Sequence, residues 1–116
     1  MGLTDVVSRQ LEAYNQHDLE AFLSCYHEDV VVKEVHSRRI VCQGMQSFRE
    51  LYSSLFAKSP ELHCNLVARH IYGVTVVDHE EVSGINGRND VLHTCAVYVV
   101  DDGLIREVWF TDKKWV

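Results

Sequence analysis

The chain contains no uninterrupted apolar run of the roughly 18 residues that a membrane-spanning helix needs, which excludes a helical span within it. Its opening, Met-Gly-Leu-Thr-Asp-Val-Val, has no basic stretch leading into an apolar one, so no secretory signal is expected and a cytoplasmic location is. The four cysteines, Cys25, Cys42, Cys64 and Cys95, form no C-x-x-C pair and are expected to be reduced thiols rather than bridges. The seven histidines make no His-x-x-x-His or His-Glu-x-x-His motif, so no metal site is expected. Positive charge is scarce: 11 Lys and Arg stand against 17 Asp and Glu, a formal charge of −6 with a pI near 5.5. That balance argues against nucleic acid and anionic membranes as partners, since both select basic patches, and is compatible with a small neutral or cationic ligand.

What is there reads as one domain over residues 1–116, with no repeat, linker or low-complexity segment. Leu3, Val7, Leu11 and Tyr14 form one face of a helix over Leu3–Asn15, with Thr4 placed to cap it. Asn15 through Asp18 is a tight break, with Asn15 suited to a left-handed helix end and Asp18 to capping a short helix over Leu19–Tyr26. Val30–His36 reads as a strand and Ile40–Cys42 as its return. Gly44 opens a third helix, Met45–Lys58, which Ser59 and Pro60 stop because a residue before proline is pushed out of the helical region. The remainder is strand and turn: Leu62–Ile71, Val74–Gly84, His93–Val100 and Leu104–Thr111, with turn chemistry at Tyr72-Gly73, a hairpin signal at Asn86-Gly87 that Arg88-Asn89-Asp90 extends toward a longer loop, and a hairpin turn at Asp101-Asp102-Gly103. Helices first and a four-strand meander after them read as an α+β fold with helices on one face of a curved sheet.

The stretch Val74–Gly84 organises the candidate chemistry. Alternation puts Val74, Val76, Asp78, Glu80 and Val82 on one face and Thr75, Val77, His79 and Glu81 on the other. Two acids among valines mean either that this face meets water at its far end or that it lines a cavity holding polar groups. The cavity is the favoured reading. Thr75, Val77 and His79, with Ala96 and Tyr98 of the next strand, are expected on the outer face.

The order of these elements resembles the NTF2-like superfamily in its SnoaL-like and steroid-isomerase-like branch. The resemblance runs from Tyr14-Asn15-Gln16-His17-Asp18-Leu19 with Phe22 and Tyr26, through Glu28-Asp29-Val30, Gly44, Phe48 and Tyr52, to Val76-Val77-Asp78-His79-Glu80 and Asp102-Gly103-Leu104-Ile105 before Trp109-Phe110. It implies a cone of three N-terminal helices packed on a strongly curved, mostly antiparallel sheet, with an apolar pocket at the open end and a homodimer through the outer sheet face. It implies no single activity, since such a fold hosts isomerases, cyclases, dehydratases and binding domains.

Within that resemblance Glu34 falls where the ketosteroid isomerases place a carboxylate base, although Val35 stands where the family has proline. Proton abstraction beside a carbonyl needs a carboxylate whose pKa an apolar pocket has raised, so Glu34 is expected inside and raised, with His36 on the same strand face as its partner. The alternative is a strand-end glutamate paired with Arg38 or Arg39. The isomerases' two enolate donors fall at Gln10 and near Cys95, which cannot reproduce them, so a true steroid isomerase is not expected. Asp78 and Glu80 either line the pocket, with Glu80 near Trp109, or bind Arg69, Arg88 or Arg106. Tyr14, Tyr52 and Trp109 are expected at the pocket because each carries a polar tip, and Cys95 is expected to line it with them. The reading is a pocket for a small organic molecule, worked without cofactor by acid–base chemistry, or else a non-catalytic ligand-binding or dimerisation module.

Overall fold

A computed structural model describes residues 2–116; the side chain of Leu3, counted above in the first helical stripe, lies outside what it describes. The elements are α1 (Leu3–Asn15), α2 (Leu19–Leu23), β1 (Tyr26–Glu34), β2 (Ile40–Gln43), α3 (Met45–Lys58), β3 (His63–Tyr72), β4 (Thr75–Ser83), β5 (Leu92–Asp101), β6 (Leu104–Phe110) and β7 (Lys114–Trp115). Asp18 caps α2 as its type allows, accepting from the Ala21 amide at 3.1 Å. The α1 cap differs from expectation: Gly2, not Thr4, is the N-cap, and Asp5 takes the Gly2 amide at 3.0 Å. The left-handed residue after α1 is His17 (φ 58°) rather than Asn15. Asn15 instead clamps the edge strand β3, accepting from the Cys64 amide at 2.7 Å and donating to its carbonyl at 3.0 Å. Helix α2 ends three residues earlier than its apolar spacing suggests, because Tyr26 already pairs with Ile105 in the sheet.

The sheet runs β2-β1-β6-β5-β4-β3, with β1 and β6 parallel and the other neighbours antiparallel; β7 pairs with β5. Register shifts between Leu66 and Ala68 and between Val99 and Val100 add local bends, and the open, mixed sheet curves around the three helices. This is the α+β architecture read from the sequence. Asn86-Gly87 belongs to a 3-10 turn, Ile85–Gly87, within the longer loop that Arg88-Asn89-Asp90 suggests, and β7 was not expected. No helix among the described residues is long and apolar enough to cross a membrane.

The core lies between the helices and the inner sheet face. Phe22 and Phe48 are essentially inaccessible and stack with ring centres 5.8 Å apart, and Tyr52 packs 4.7 Å from each. Val76, Asp78, Glu80 and Val82 face this interior, as alternation requires, while His79 is exposed. On β5 the phase is opposite to the expected one. Ala96 and Tyr98 are buried on the inner face because they pair directly with Asp78 and Val76, and residues directly opposed in a ladder share a face. Cys95, Val97 and Val99 take the outer face. All four cysteines are free, with Cys95 the least buried.

Candidate functional site

A cavity of about 250 Å³ opens between the helices and the inner sheet face. It is apolar along its walls, where Phe22, Val32, Leu55, Val82, Leu92 and Val108 contribute, and polar at two places.

The first polar place is deep. Gln10, Tyr26, Tyr98 and Glu80 all line the cavity, and none is more than 5% exposed. They form one hydrogen-bonded chain. The Tyr26 hydroxyl donates to Gln10 Oε1 at 2.8 Å, Gln10 Nε2 donates to the Val7 carbonyl at 3.0 Å and to the Tyr98 hydroxyl at 3.4 Å, and that hydroxyl donates to Glu80 Oε2 at 3.2 Å. Glu80 thus sits in a buried, largely apolar site, with a neutral hydroxyl as its hydrogen-bond partner. Burial, reinforced by the nearby charge of Asp78, pushes its carboxyl up to about 7, against the lowering pull of the Tyr98 hydrogen bond. Beside it, Tyr14 and Tyr52 line the cavity with ring centres 6.5 Å apart. Neither hydroxyl has a hydrogen-bond partner among the described residues, and no polar side-chain atom is left both enclosed and unpaired, so the two donors face the open volume. Burial raises both phenols, Tyr14 well above its ordinary value, and keeps them protonated.

The second polar place is the mouth, where Glu34 and Lys113 stand with Leu51 and Trp115. Glu34 lines the opening, but it is not a desolvated base. Arg39 Nε and Nη2 reach its two carboxylate oxygens at 3.1 and 3.2 Å, and Ser37 adds a bond at 2.8 Å. Hydrogen bonds from Arg39 and then Ser37 hold its carboxyl down at about 2, the reverse of the raised value expected. His36 is exposed and lies outside the cavity, in a shallow depression with Val35, Thr111 and Asp112, because β1 ends at Glu34 and the chain turns away.

The other expected residues divide similarly. Asp78 is fully buried yet does not line the cavity; Arg69 grips it with bonds of 2.7 and 2.9 Å and also donates to Ser8 at 2.7 Å. Trp109 is on the outer face, pairs in register with Val97, and gives its Nε1 proton to Glu107 rather than approaching Glu80. Cys95 is on that same face, opposite His79. The structure therefore gathers Tyr14, Tyr52 and Glu80 in the cavity interior, puts Glu34 at its mouth, and leaves His36, Asp78, Cys95 and Trp109 out. Gln10, Tyr26 and Tyr98 complete the polar end without having been singled out as site residues. Gln10 did leave a signal, a lone amide one turn from Val7 and Tyr14 in an otherwise apolar stripe.

The model of the SnoaL-like domain matches residues 7–108, and the chain belongs to this family of the NTF2-like superfamily. A search of curated proteins by sequence finds no match. Among solved structures the chain is similar to an uncharacterised cystatin-fold protein from Novosphingobium aromaticivorans (TM-score 0.84, 21% identity, covering 95% of this chain and 97% of that one). It is also similar to a candidate ketosteroid isomerase from Kribbella flavida (TM-score 0.81, 13% identity, 98% and 77% covered). A third is a candidate polyketide cyclase from Sinorhizobium meliloti (TM-score 0.75, 17% identity, 95% and 99% covered). At these identities the likeness is one of fold.

Proposed function

We propose that the protein is a cofactor-independent acid–base enzyme acting on a small carbonyl compound, with Glu80 rather than Glu34 as the proton carrier. The observation that carries this is a carboxylate buried in the wall of the cavity, where burial pushes it up to about 7, in the same cavity as two phenols with no hydrogen-bond partner among the described residues. A base is most useful when its pKa lies near the working pH. In the proposed step a Glu80 oxygen takes a proton from the carbon beside the carbonyl, the C–H electron pair forms a C=C bond, and the carbonyl π pair moves onto oxygen. Tyr14 and Tyr52 donate to that oxygen as its charge develops. Returning the proton from Glu80 to another carbon completes an isomerisation; expelling a β-hydroxyl, which takes the Glu80 proton and leaves as water, completes a dehydration; attack of the enolate carbon on a second carbonyl carbon, whose oxygen takes the Glu80 proton, completes a cyclisation. Size narrows the substrate. An engineered cavity of about 150 Å³ holds benzene, so about 250 Å³ suits one or two rings and not a whole steroid.

The chain is also proposed to work as a homodimer through the outer sheet face, which the helices leave uncovered and on which Val77, Val97 and Val99 are only half-buried.

The test of the chemistry needs no knowledge of the natural substrate. Two-ring 2-tetralone in D₂O should exchange its α-protons faster with the protein than in buffer, and Glu80→Gln should remove about 10²-fold or more of that acceleration. Exchange at the buffer rate, or an equal rate with Glu80→Gln, refutes the acid–base reading. Binding without exchange would leave a ligand-binding module.

A further inference from the structure

The mouth of the cavity carries a lysine, Lys113, that makes no ion pair among the described residues. The segment after β6 crosses the opening: the Phe110 ring lines the cavity, Lys113 and Trp115 line it further along, and β7 ties the segment down by pairing Trp115 with Leu92. Two further devices hold it in place. The Arg88 guanidinium lies 3.6 Å from the centre of the Trp115 ring, and Val91 and Val116 exchange backbone hydrogen bonds of 2.8 and 2.9 Å. Lys113, exposed, thereby stands at the opening with its Nζ 6.0 Å from the Phe110 ring centre, and it has no ion-pair partner among the described residues. Glu34, the carboxylate nearest in the rim, is already satisfied: Arg39 occupies both of its oxygens. Asp112 points elsewhere, into the depression with Val35 and His36.

One rim carboxylate, Glu34, stands against two cations: Arg39 pairs with it directly and Lys113 acts on it only through space, so the rim keeps a net positive charge, although the chain as a whole is acidic. A cationic ligand would have to displace Arg39 to use Glu34. An anionic one displaces nothing, and its non-polar body can occupy the apolar walls between rim and floor.

We infer that the compound this cavity takes is a carbonyl compound of one or two rings bearing an anionic tail, a carboxylate, that meets Lys113 at the mouth while the carbonyl end reaches Glu80, Tyr14 and Tyr52. This rests on the function proposed above and adds the substrate's charge and its orientation. The tail is also a means of selection, since a neutral analogue of the same shape leaves Lys113 unpaired.

The experiment compares two probes of equal shape by calorimetric titration at low salt: 6-hydroxy-2-naphthylacetate and its primary amide. The hydroxyl end mimics an enol at the floor and the side chain reaches the rim. The protein should bind the carboxylate about tenfold more tightly than the amide, a preference that added salt shrinks. Lys113→Met should bring the two affinities together, and Lys113→Glu should reverse their order. Equal affinities in the unmodified protein, a preference that survives Lys113→Met, or no binding of either probe overturns the inference. Failure of the two proposals is separable. Glu80-dependent exchange of 2-tetralone without a tail preference sinks only the inference about the tail; an intact Lys113-dependent preference without exchange sinks only the acid–base reading.

Discussion

Tyr98 and Glu80 are joined inside the cavity by a single hydrogen bond from a neutral donor, 3.2 Å from phenol oxygen to carboxyl oxygen, with both side chains nearly inaccessible. Two residues earlier on the same strand face, Asp78 is as deeply buried but is gripped by the Arg69 guanidinium at both oxygens. The two acids that alternation places together thus meet different fates. One is gripped by a cation and becomes part of the scaffold; the other takes its hydrogen bonds from neutral groups, the Tyr98 hydroxyl and the Cys64 thiol, feels Arg69 only through space, and is left free to exchange a proton. The difference lies in β3, whose Arg69 pairs in register with Asp78, whereas the residue opposite Glu80 is Leu66.

The first prediction concerns pH and stability. Glu80 has a folded pKa of about 7 against an ordinary value of 4.5. A raised carboxyl means the native state holds its proton more tightly than the unfolded chain. Between those two values the unfolded state carries fewer protons, so stability falls as pH rises. The loss should total ~3 kcal/mol and be complete by about pH 8, taking 1.36 kcal/mol per pKa unit. Glu80→Gln keeps an acceptor for Tyr98 and cannot ionise. Urea midpoints should therefore place this variant above the parent protein at pH 8 and close to it at pH 5. Identical pH profiles for the two proteins would show that Glu80 does not titrate as described.

A second prediction separates the roles of the two acids. Asp78→Asn leaves the Arg69 guanidinium, 16% exposed, with no counter-charge on that side. Breaking a buried ion pair from one side costs about 3–5 kcal/mol, and the amide oxygen should keep the cost near the lower figure. The same change removes the like charge that helps raise Glu80 and frees a cation close to it, so Glu80 should titrate lower. Chemical denaturation reads the first effect and carbon NMR of the Glu80 carboxyl the second. A lower denaturant midpoint with Glu80 unmoved would mean that burial alone sets its pKa.

The sequence made the three helices, the meander and the inward face of β4 legible, because helix caps, turn residues and alternation each act over a few neighbouring positions. It left the site half legible for a physical reason. Tyr14, Tyr52 and Glu80 could be chosen because each is a polar tip on an apolar stripe. Tyr98 was assigned to the wrong face because the phase of β5 depends on where its pairing with β4 starts, a long-range register that local alternation does not encode. Glu34 illustrates the other limit. Its place on the inner face was readable, but its pKa is decided by Arg39 across the turn, and of the neighbouring arginines Arg38 was as plausible a partner until Arg38 took a left-handed conformation (φ 62°). Trp109 and Cys95 fell outside the cavity through the same outer-face phase as Val97.

The third prediction concerns assembly. Val97 sits at the centre of the uncovered face, paired with Val77 on one side and Trp109 on the other. Two copies meeting there by a two-fold axis would bring this residue near its own counterpart. Light scattering at micromolar concentration should give a dimer mass for the parent protein and a monomer mass for Val97→Glu, with the circular dichroism spectrum retained. A monomeric parent refutes the proposed dimer outright.

The last prediction tests what holds the floor of the fold together near the cavity. After α3 the chain passes under the β4–β5 connection, and the two segments touch backbone to backbone. Ser59, fully buried, accepts the Asn86 amide on its hydroxyl at 2.8 Å. Gly84 adopts φ +76°, and a methyl group there would stand 2.3 Å from the Glu61 carbonyl oxygen. Alanine therefore brings two faults: a left-handed conformation, costing about 1 kcal/mol, and a clash with backbone that no side-chain rotation relieves. Gly73 provides the control, since it has φ +60° but nothing within 4 Å of a new methyl. Gly73→Ala should lose only the conformational part, whereas Gly84→Ala should lose about 2 kcal/mol or more and displace Ile85, which lines the cavity. Denaturant midpoints for the two variants check this, and equal losses would mean that the close passage of Glu61 imposes no constraint of its own.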